Sequence, residues 1–257
     1  MSAPVEASVE AVLDPDGVAV VTFRRGRHNY FDHPLILELV RTLEDLGGRG
    51  ARAAVLRSGV RHFCAGADFS GGPNPGGGAE HIYDLVPRLL AQPVPLVAAI
   101  GGGAIGGGLG LALAADFRVA STQAYLTANF TRIGLSQGFA LSLTLPRLVG
   151  VQIAADLLYT GRKVGGAEAA ALGLVDRVVE PAELDAEARR FAAGIAASAP
   201  LAVATARRAL RADLSPEVVA EVLRRERAEQ SALKSTADFA EGTRAARERR
   251  RPVFRGE

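Results

Sequence analysis

Apolar and polar positions alternate in two rhythms along the 257-residue chain, and each rhythm predicts a different element. Residues 5–12 and 18–24 are rich in β-branched and apolar residues and flank Asp14-Pro15-Asp16-Gly17, so they predict two strands joined by a tight turn. Leu35, Leu39, Leu43 and Leu46 place one apolar side chain on each helical turn, which predicts a helix over 34–46 ending at Gly47-Gly48. Residues 52–58 and 94–100 are short, nearly continuous apolar runs, the pattern of strands buried on both faces. A helix is predicted over 80–91, stopped before Pro93, and a short helix poor in side chains over 106–115. Brief strands follow at 116–121 and 124–126. Beyond Gly138 the pattern is mostly helical, with one late strand at 174–179.

Two long amphipathic segments close the chain, at 201–211 and 216–233, with few strands nearby to cover their apolar faces. They are expected to pack elsewhere. This divides the chain into a core, residues 1–199, and a C-terminal helical region, residues 200–257. Ser70 to Gly78 is rich in Gly and Pro and reads as a surface loop within the core rather than a boundary. No internal repeat of fixed period is visible.

Composition narrows the function classes. At 48% hydrophobic content the chain can bury a sizeable core. Thirty Lys and Arg against 28 Asp and Glu leave a formal net charge of +2, too near balance to predict a nucleic-acid partner. A small phosphate-bearing molecule stays open. The single cysteine, Cys64, has no partner for an internal disulfide, which points to a reducing compartment. Met1 to Glu10 lacks the basic start and apolar stretch of a signal peptide, and no run reaches about 18 consecutive apolar residues, so a cytoplasmic protein without a membrane partner is expected.

Candidate chemistry gathers at two glycine-bearing segments, His62-Phe63-Cys64-Ala65-Gly66-Ala67-Asp68 and the run from Pro95 through Gly110. Each follows an apolar strand pattern and turns sharply, where unpaired backbone N–H groups collect partial positive charge. Were two such donors to converge on one oxygen, they would form an oxyanion hole. Rival readings are weaker. Gly101-x-Gly103-x-x-Gly106 satisfies the dinucleotide fingerprint, but Ser121-Thr122-Gln123 offers no acidic residue at the next strand end. No Lys-Ser or Lys-Thr follows the glycines, which excludes a nucleotide P-loop. Glycines that merely allow close packing remain the structural alternative.

These two segments resemble the signature of the crotonase (enoyl-CoA hydratase/isomerase) superfamily, and the likeness covers nearly the whole chain. It takes in Val18 to Arg24 with His28-Asn29, Ile133-Gly134-Leu135, Leu145-Pro146-Arg147-Leu148-Val149-Gly150, Thr160-Gly161-Arg162, Ala169 to Asp176, Glu241-Gly242 and the tail Arg250-Arg251-Pro252-Val253-Phe254. The resemblance implies an α/β fold, a spiral of ββα units with a C-terminal helical trimerisation region, assembled as a homotrimer or hexamer. It implies that the Ala67 and Gly107 N–H groups hold the thioester oxygen of an acyl-CoA or acyl-carrier-protein substrate. Coenzyme A then enters as part of the substrate, with no separate cofactor and no metal.

The family pattern places two hydratase glutamates at positions 110 and 130, where this chain has Gly110 and Phe130. Neither transfers a proton, so ordinary hydration is not expected. The aspartates of related isomerases and dehalogenases are also missing near Ser136-Gln137-Gly138. The polar groups that remain as catalytic candidates are Asp68, which is equally a helix-start carboxylate, and His81 and Asp84, three apart on one helix face with Tyr83 pointing elsewhere. Substrate contacts implied by the resemblance fall on Arg24, Arg25, Ala65, Gly66, Phe69, Tyr83, Gly106, Gly110, Asn129, Phe130, Gln137, Gly138 and Phe254. His62 reads as structural, and Arg247, Arg249, Arg250 and Arg251 form a basic cluster near the tail that the family lets reach CoA phosphates. The expected activity is enolate stabilisation by an enoyl-CoA hydratase/isomerase-type enzyme. Decarboxylation or another C–C cleavage that needs no strong base is the alternative, and a non-catalytic acyl-CoA-binding subunit is a third reading.

Overall fold

In a computed structural model, residues 7–67 and 81–257 are described. β1 (Ala7–Leu13) and β2 (Val18–Arg25) form an antiparallel hairpin whose turn places Gly17 at φ 84°, a conformation that favours glycine. From β2 onward the sheet is parallel, through β3 (Ala53–Ser58), β4 (Leu96–Ile100), β6 (Phe117–Ser121) and β9 (Arg177–Val179), in the order β1-β2-β3-β4-β6-β9. A second sheet joins β5 (Gly103–Ile105), β7 (Tyr125–Thr127) and β8 (Val164–Gly165).

The unbroken apolar runs of the central strands follow from helices on both faces. Val18, Val55, Val97 and Val119 point toward α6 (Leu184–Ala196) and pack on its Leu184, Ala188 and Ala192. Their neighbours Ala19, Val21, Phe23, Leu56 and Ala98 point the other way, into the larger core that also takes the buried stripes of α1 (His33–Gly48) and α2 (Ile82–Ala91). α1 starts as its sequence predicts, with Asp32 Oδ1 accepting the Leu35 N–H at 3.1 Å. α3 (Gly107–Ala114) is buried along almost its whole length, which its lack of large side chains permits.

α4 (Leu141–Thr160) approaches the length and apolarity of a membrane-crossing helix, but it breaks at Gly150 (φ 76°, ψ 160°) and sinks Leu141, Leu145, Val149 and Leu157 into the protein core. The strand expected over 174–179 is shorter than its apolar pattern. The Leu174 and Val175 N–H groups both donate to Ala169 C=O, closing α5 (Gly166–Ala171) and delaying the strand until Arg177.

The C-terminal helices divide in a way their amphipathicity alone does not reveal. α8 (Pro216–Leu233) does not leave the core: it lies on α2 and buries Val219, Leu223, Glu226 and Gln230. α9 (Ala237–Glu248) buries Phe239, Gly242 and Ala245 beside the 3-10 turn at Asn129–Ile133. Only α7 (Pro200–Leu210) buries no residue.

Candidate active site

Hydrogen bonds fasten the two glycine-bearing segments together. Asn29, fully buried and left-handed at φ 54°, accepts the Arg25 N–H at 2.8 Å and donates to Phe63 C=O at 2.8 Å and Ser58 Oγ at 2.9 Å. It ties the end of β2 to the first segment. Cys64 N–H donates to Gly103 C=O at 3.1 Å and Ile105 N–H to Cys64 C=O at 2.9 Å, a short parallel bridge between the two segments. A Cβ at Gly108 would collide with Cys64 C=O, so α3 can approach this bridge only with glycine there. The bridge buries the Cys64 thiol and pushes its pKa up to about 12, leaving it inert.

Gly66 completes the arrangement. At φ 85° it turns the first segment so that a Cβ on it would stand 3.3 Å from the Gly107 nitrogen. Phe31 N–H donates to Gly66 C=O at 2.9 Å, and Gly107 is the first residue of α3, a position whose N–H has no partner within its helix. Neither the Ala67 nor the Gly107 N–H donates a hydrogen bond among the described residues. Both residues line one cavity of about 320 Å³.

Of the predicted residues, this cavity collects Ala65, Gly66, Ala67, His81, Tyr83, Gly106, Gly107, Asn129 and Phe130. Asp68 and Phe69 lie outside the described residues. His81 and Asp84 do not work as a pair facing the cavity. His81 is the N-cap of α2: its Nδ1 accepts the Tyr83 N–H at 3.1 Å, and its own N–H donates to Asp84 Oδ2 at 2.9 Å. This capping box spends the Asp84 carboxylate on the helix end, with Arg227 Nη1 3.9 Å away. Tyr83, predicted to point elsewhere, turns into the cavity with His81. Burial, reinforced by Arg227 and Lys234, pulls the His81 pKa down to about 4, so its imidazole is neutral with the proton on Nε2.

The remaining predicted contacts sit apart from the lining. Arg24 bonds Ser8 Oγ and Glu10 across the β1–β2 hairpin, and Arg25 Nε pairs with Asp32 Oδ2 at 2.9 Å. Gly110 packs on Phe139, with 2.8 Å between an added Cβ and the Phe139 ring atom Cδ1. Gly138 lies against Tyr83 and Gln230, and Gln137 is half-buried outside the cavity. Phe254 is 41% exposed on a shallow depression with Thr131 and Leu233. In the tail cluster, Arg250 is engaged by Glu241 and Glu248. His62 is structural as expected, its Nδ1 accepting the Gly103 N–H at 3.3 Å.

The chain is similar to known proteins over almost all of its length. The enoyl-CoA hydratase/isomerase family model matches residues 14–257. The chain belongs to that family. A Homo sapiens relative, enoyl-CoA hydratase domain-containing protein 2, mitochondrial, is 37% identical over 265 residues, covering 98% of this chain and 90% of that protein. The (E)-benzylidenesuccinyl-CoA hydratase of Thauera aromatica is 37% identical over 215 residues, covering 80% of this chain and 82% of that protein. A solved enoyl-CoA hydratase/isomerase from Pseudoalteromonas atlantica T6c superposes with a TM-score of 0.85 at 32% identity, covering 96% of this chain and all of that one.

Sequence reasoning missed two residues of α8 and its C-cap, Lys234. Gln230 and Lys234 line the cavity: Gln230 Oε1 accepts the Tyr83 O–H at 2.8 Å and its Nε2 donates to Ser136 C=O at 2.9 Å. Burial, and after it the nearby Glu226, pushes the Tyr83 phenol upward and keeps it protonated. Glu226, fully buried, accepts from Ala140 N–H at 2.8 Å and from Ser142 N–H at 3.0 Å, fixing the start of α4. The signal was present. Positions 219, 223, 226 and 230 form one helical stripe, and polar residues on an otherwise apolar stripe mark buried polar partners. Among the described residues no group of three His, Cys, Asp or Glu side chains is arranged to hold a metal ion.

Proposed function

We propose that the protein binds an acyl-CoA and stabilises the enolate that forms at its thioester, with the Ala67 and Gly107 N–H groups as oxyanion donors. The observation that supports this reading is one cavity lined by both Ala67 and Gly107, without a carboxylate among its described lining residues. As the thioester loses a substituent or proton at its α carbon, negative charge moves to the carbonyl oxygen. Donors fixed in advance by the Asn29 clasp and the Cys64–Ala104 bridge stabilise that charge without rearranging. The N-terminus of α3 adds its dipole in the same sense.

Hydration also needs a group that takes a proton from water. His81 is neutral with Nδ1 already occupied, Tyr83 is held protonated, and Asn129 and Gln230 are weak acceptors only. A lining without a carboxylate among the described residues favours decarboxylation as a second reading: the breaking C–C bond leaves its electron pair on the α carbon and CO₂ departs, so no base is required. Binding of acyl-CoA with no turnover of any substrate would support the non-catalytic subunit. An acyl group on a carrier protein would present the same thioester. The proposal extends to a homotrimer or hexamer acting in the cytoplasm.

Two measurements test this function. Crotonyl-CoA hydration is expected to fall well below the roughly 10 s⁻¹ of a typical enzyme, while butyryl-CoA, which cannot be hydrated, still binds. Hydration at that rate would overturn the base-independent reading. For the oxyanion role, Gly107→Pro is compared with Gly107→Ala: both add a Cβ that presses on Phe31, 2.6 Å away, but only proline removes the N–H, at a helix position that tolerates it. Turnover of whichever thioester proves to be the substrate is expected to drop about 10²-fold or more in the proline variant relative to the alanine one. Equal rates in the two variants refute the assignment.

A further inference from the structure

The wall that α2 and α8 give the cavity carries a charge without a counter-charge. Lys234, half-buried at the end of α8, is the one formal cation among the described lining residues, and its ammonium makes no ion pair or hydrogen bond among the described residues. Among the described residues, the charged side chains near it are cationic or spoken for. Arg227 adds positive charge, and Asp84 is committed to the capping box of α2. Burial and Arg227 push the Lys234 pKa down, the mark of an ammonium that lost water and gained no anion. An ammonium partly withdrawn from water is stabilised by an anion beside it, so the partner of this one is to be sought in what the cavity binds.

The groups beside Lys234 sharpen the class of ligand. Neutral His81 offers an Nε2–H, while Tyr30, Phe31, Phe130 and Phe139, with Ile82, Ile105 and Ile133, make much of the remaining lining apolar. At about 320 Å³ the cavity is at the small end for ligand sites, a size that suits an acyl group. Resting on the acyl-CoA reading above, we infer that the acyl group carries its own carboxylate, which pairs with the Lys234 ammonium within the cavity. The substrate class is a CoA monothioester of a dicarboxylic acid.

Calorimetric titration of the intact protein with paired, unreactive thioesters tests this. Succinyl-, glutaryl- and adipoyl-CoA are compared with butyryl-, valeryl- and hexanoyl-CoA, which match them in carbon number and lack the second carboxylate. At one chain length at least, the carboxylated thioester is expected to bind about tenfold or more tighter, the scale of a charge-assisted hydrogen bond. Lys234→Met should bring that ratio close to one, and Lys234→Arg should restore most of it. Equal affinities within all three pairs overturn the inference. A Lys234→Met variant that weakens both members of each pair equally, and free CoA with them, also overturns it and assigns the ammonium to a CoA phosphate. If the unmodified protein binds none of the six, the acyl-CoA reading itself fails, and this inference with it.

Discussion

A Cβ added at Gly110 would meet Phe139 Cβ and Cδ1 at 2.8 Å, and one added at Gly138 would run into Tyr83 Oη. Both glycines stand where the family resemblance leads one to expect acids, and in both places an aromatic side chain from another element takes the space. Loss of the acid and filling of its site therefore go together, so restoring a carboxylate does not restore the geometry around it. Gly110→Glu is expected to destabilise the fold by about 1–3 kcal/mol, the usual cost of forcing atoms into a packed core, without raising crotonyl-CoA hydration. Urea unfolding together with a hydration assay checks both halves. A variant of unchanged stability that gains hydration would mean that Phe139 yields easily and that only the missing acid separates this chain from a hydratase.

At the scale of elements, α2 reaches the cavity through its N-cap, and that cap titrates. The folded-state pKa of His81, about 4, lies below the ordinary 6.5, so the unfolded chain binds the proton more readily. The stability contributed by neutral His81 is therefore complete above pH 6.5 and is lost as pH falls from 6.5 toward 4. His81→Ser keeps a capping oxygen and removes the titration. Melting temperatures between pH 7 and 4 should fall less steeply for this variant than for the parent protein, and parallel profiles would show that the ring does not carry the effect. This cap also marks the limit of what the sequence discloses. The hairpin, α1, the buried strands and α3 were legible because each has a local cause: turn residues, leucine spacing or continuous apolar runs. Ala67 and Gly107 could be named from the family pattern because glycine segments of this kind keep their identity in one dimension. Gln230 and Lys234 could not. They reach the cavity only because α8 folds back on α2, and no local pattern announces which side of an amphipathic helix will meet a site more than a hundred residues earlier.

For the whole molecule, α7 is the helix that the described core leaves uncovered. It buries none of its residues, and it leaves Leu201 83% and Leu210 74% exposed. Beside it runs a groove of about 820 Å³ lined by Leu113, Phe117, Leu148, Phe191 and Val203. Arg207 reaches from α7 into this groove, where its Nε bonds Asp116 at 3.0 Å and its Nη1 bonds Gln92 C=O at 2.8 Å, yet its buried Nη2 finds no acceptor. A buried orphan donor beside an uncovered apolar face is costly in an isolated subunit and is relieved when another surface closes over both. Self-association into a closed ring would satisfy every copy at once, and among such rings the family resemblance selects the homotrimer or a dimer of trimers as the state to test. Light scattering at micromolar concentration is expected to give a trimer or hexamer mass. Leu201→Glu combined with Leu210→Glu should shift the population toward monomer with the helical circular dichroism retained, because both side chains project from a helix that the core does not need. Should the unmodified protein remain monomeric under these conditions, α7 is not an association surface, and the exposed leucines and the unpaired Arg207 donor need a different partner.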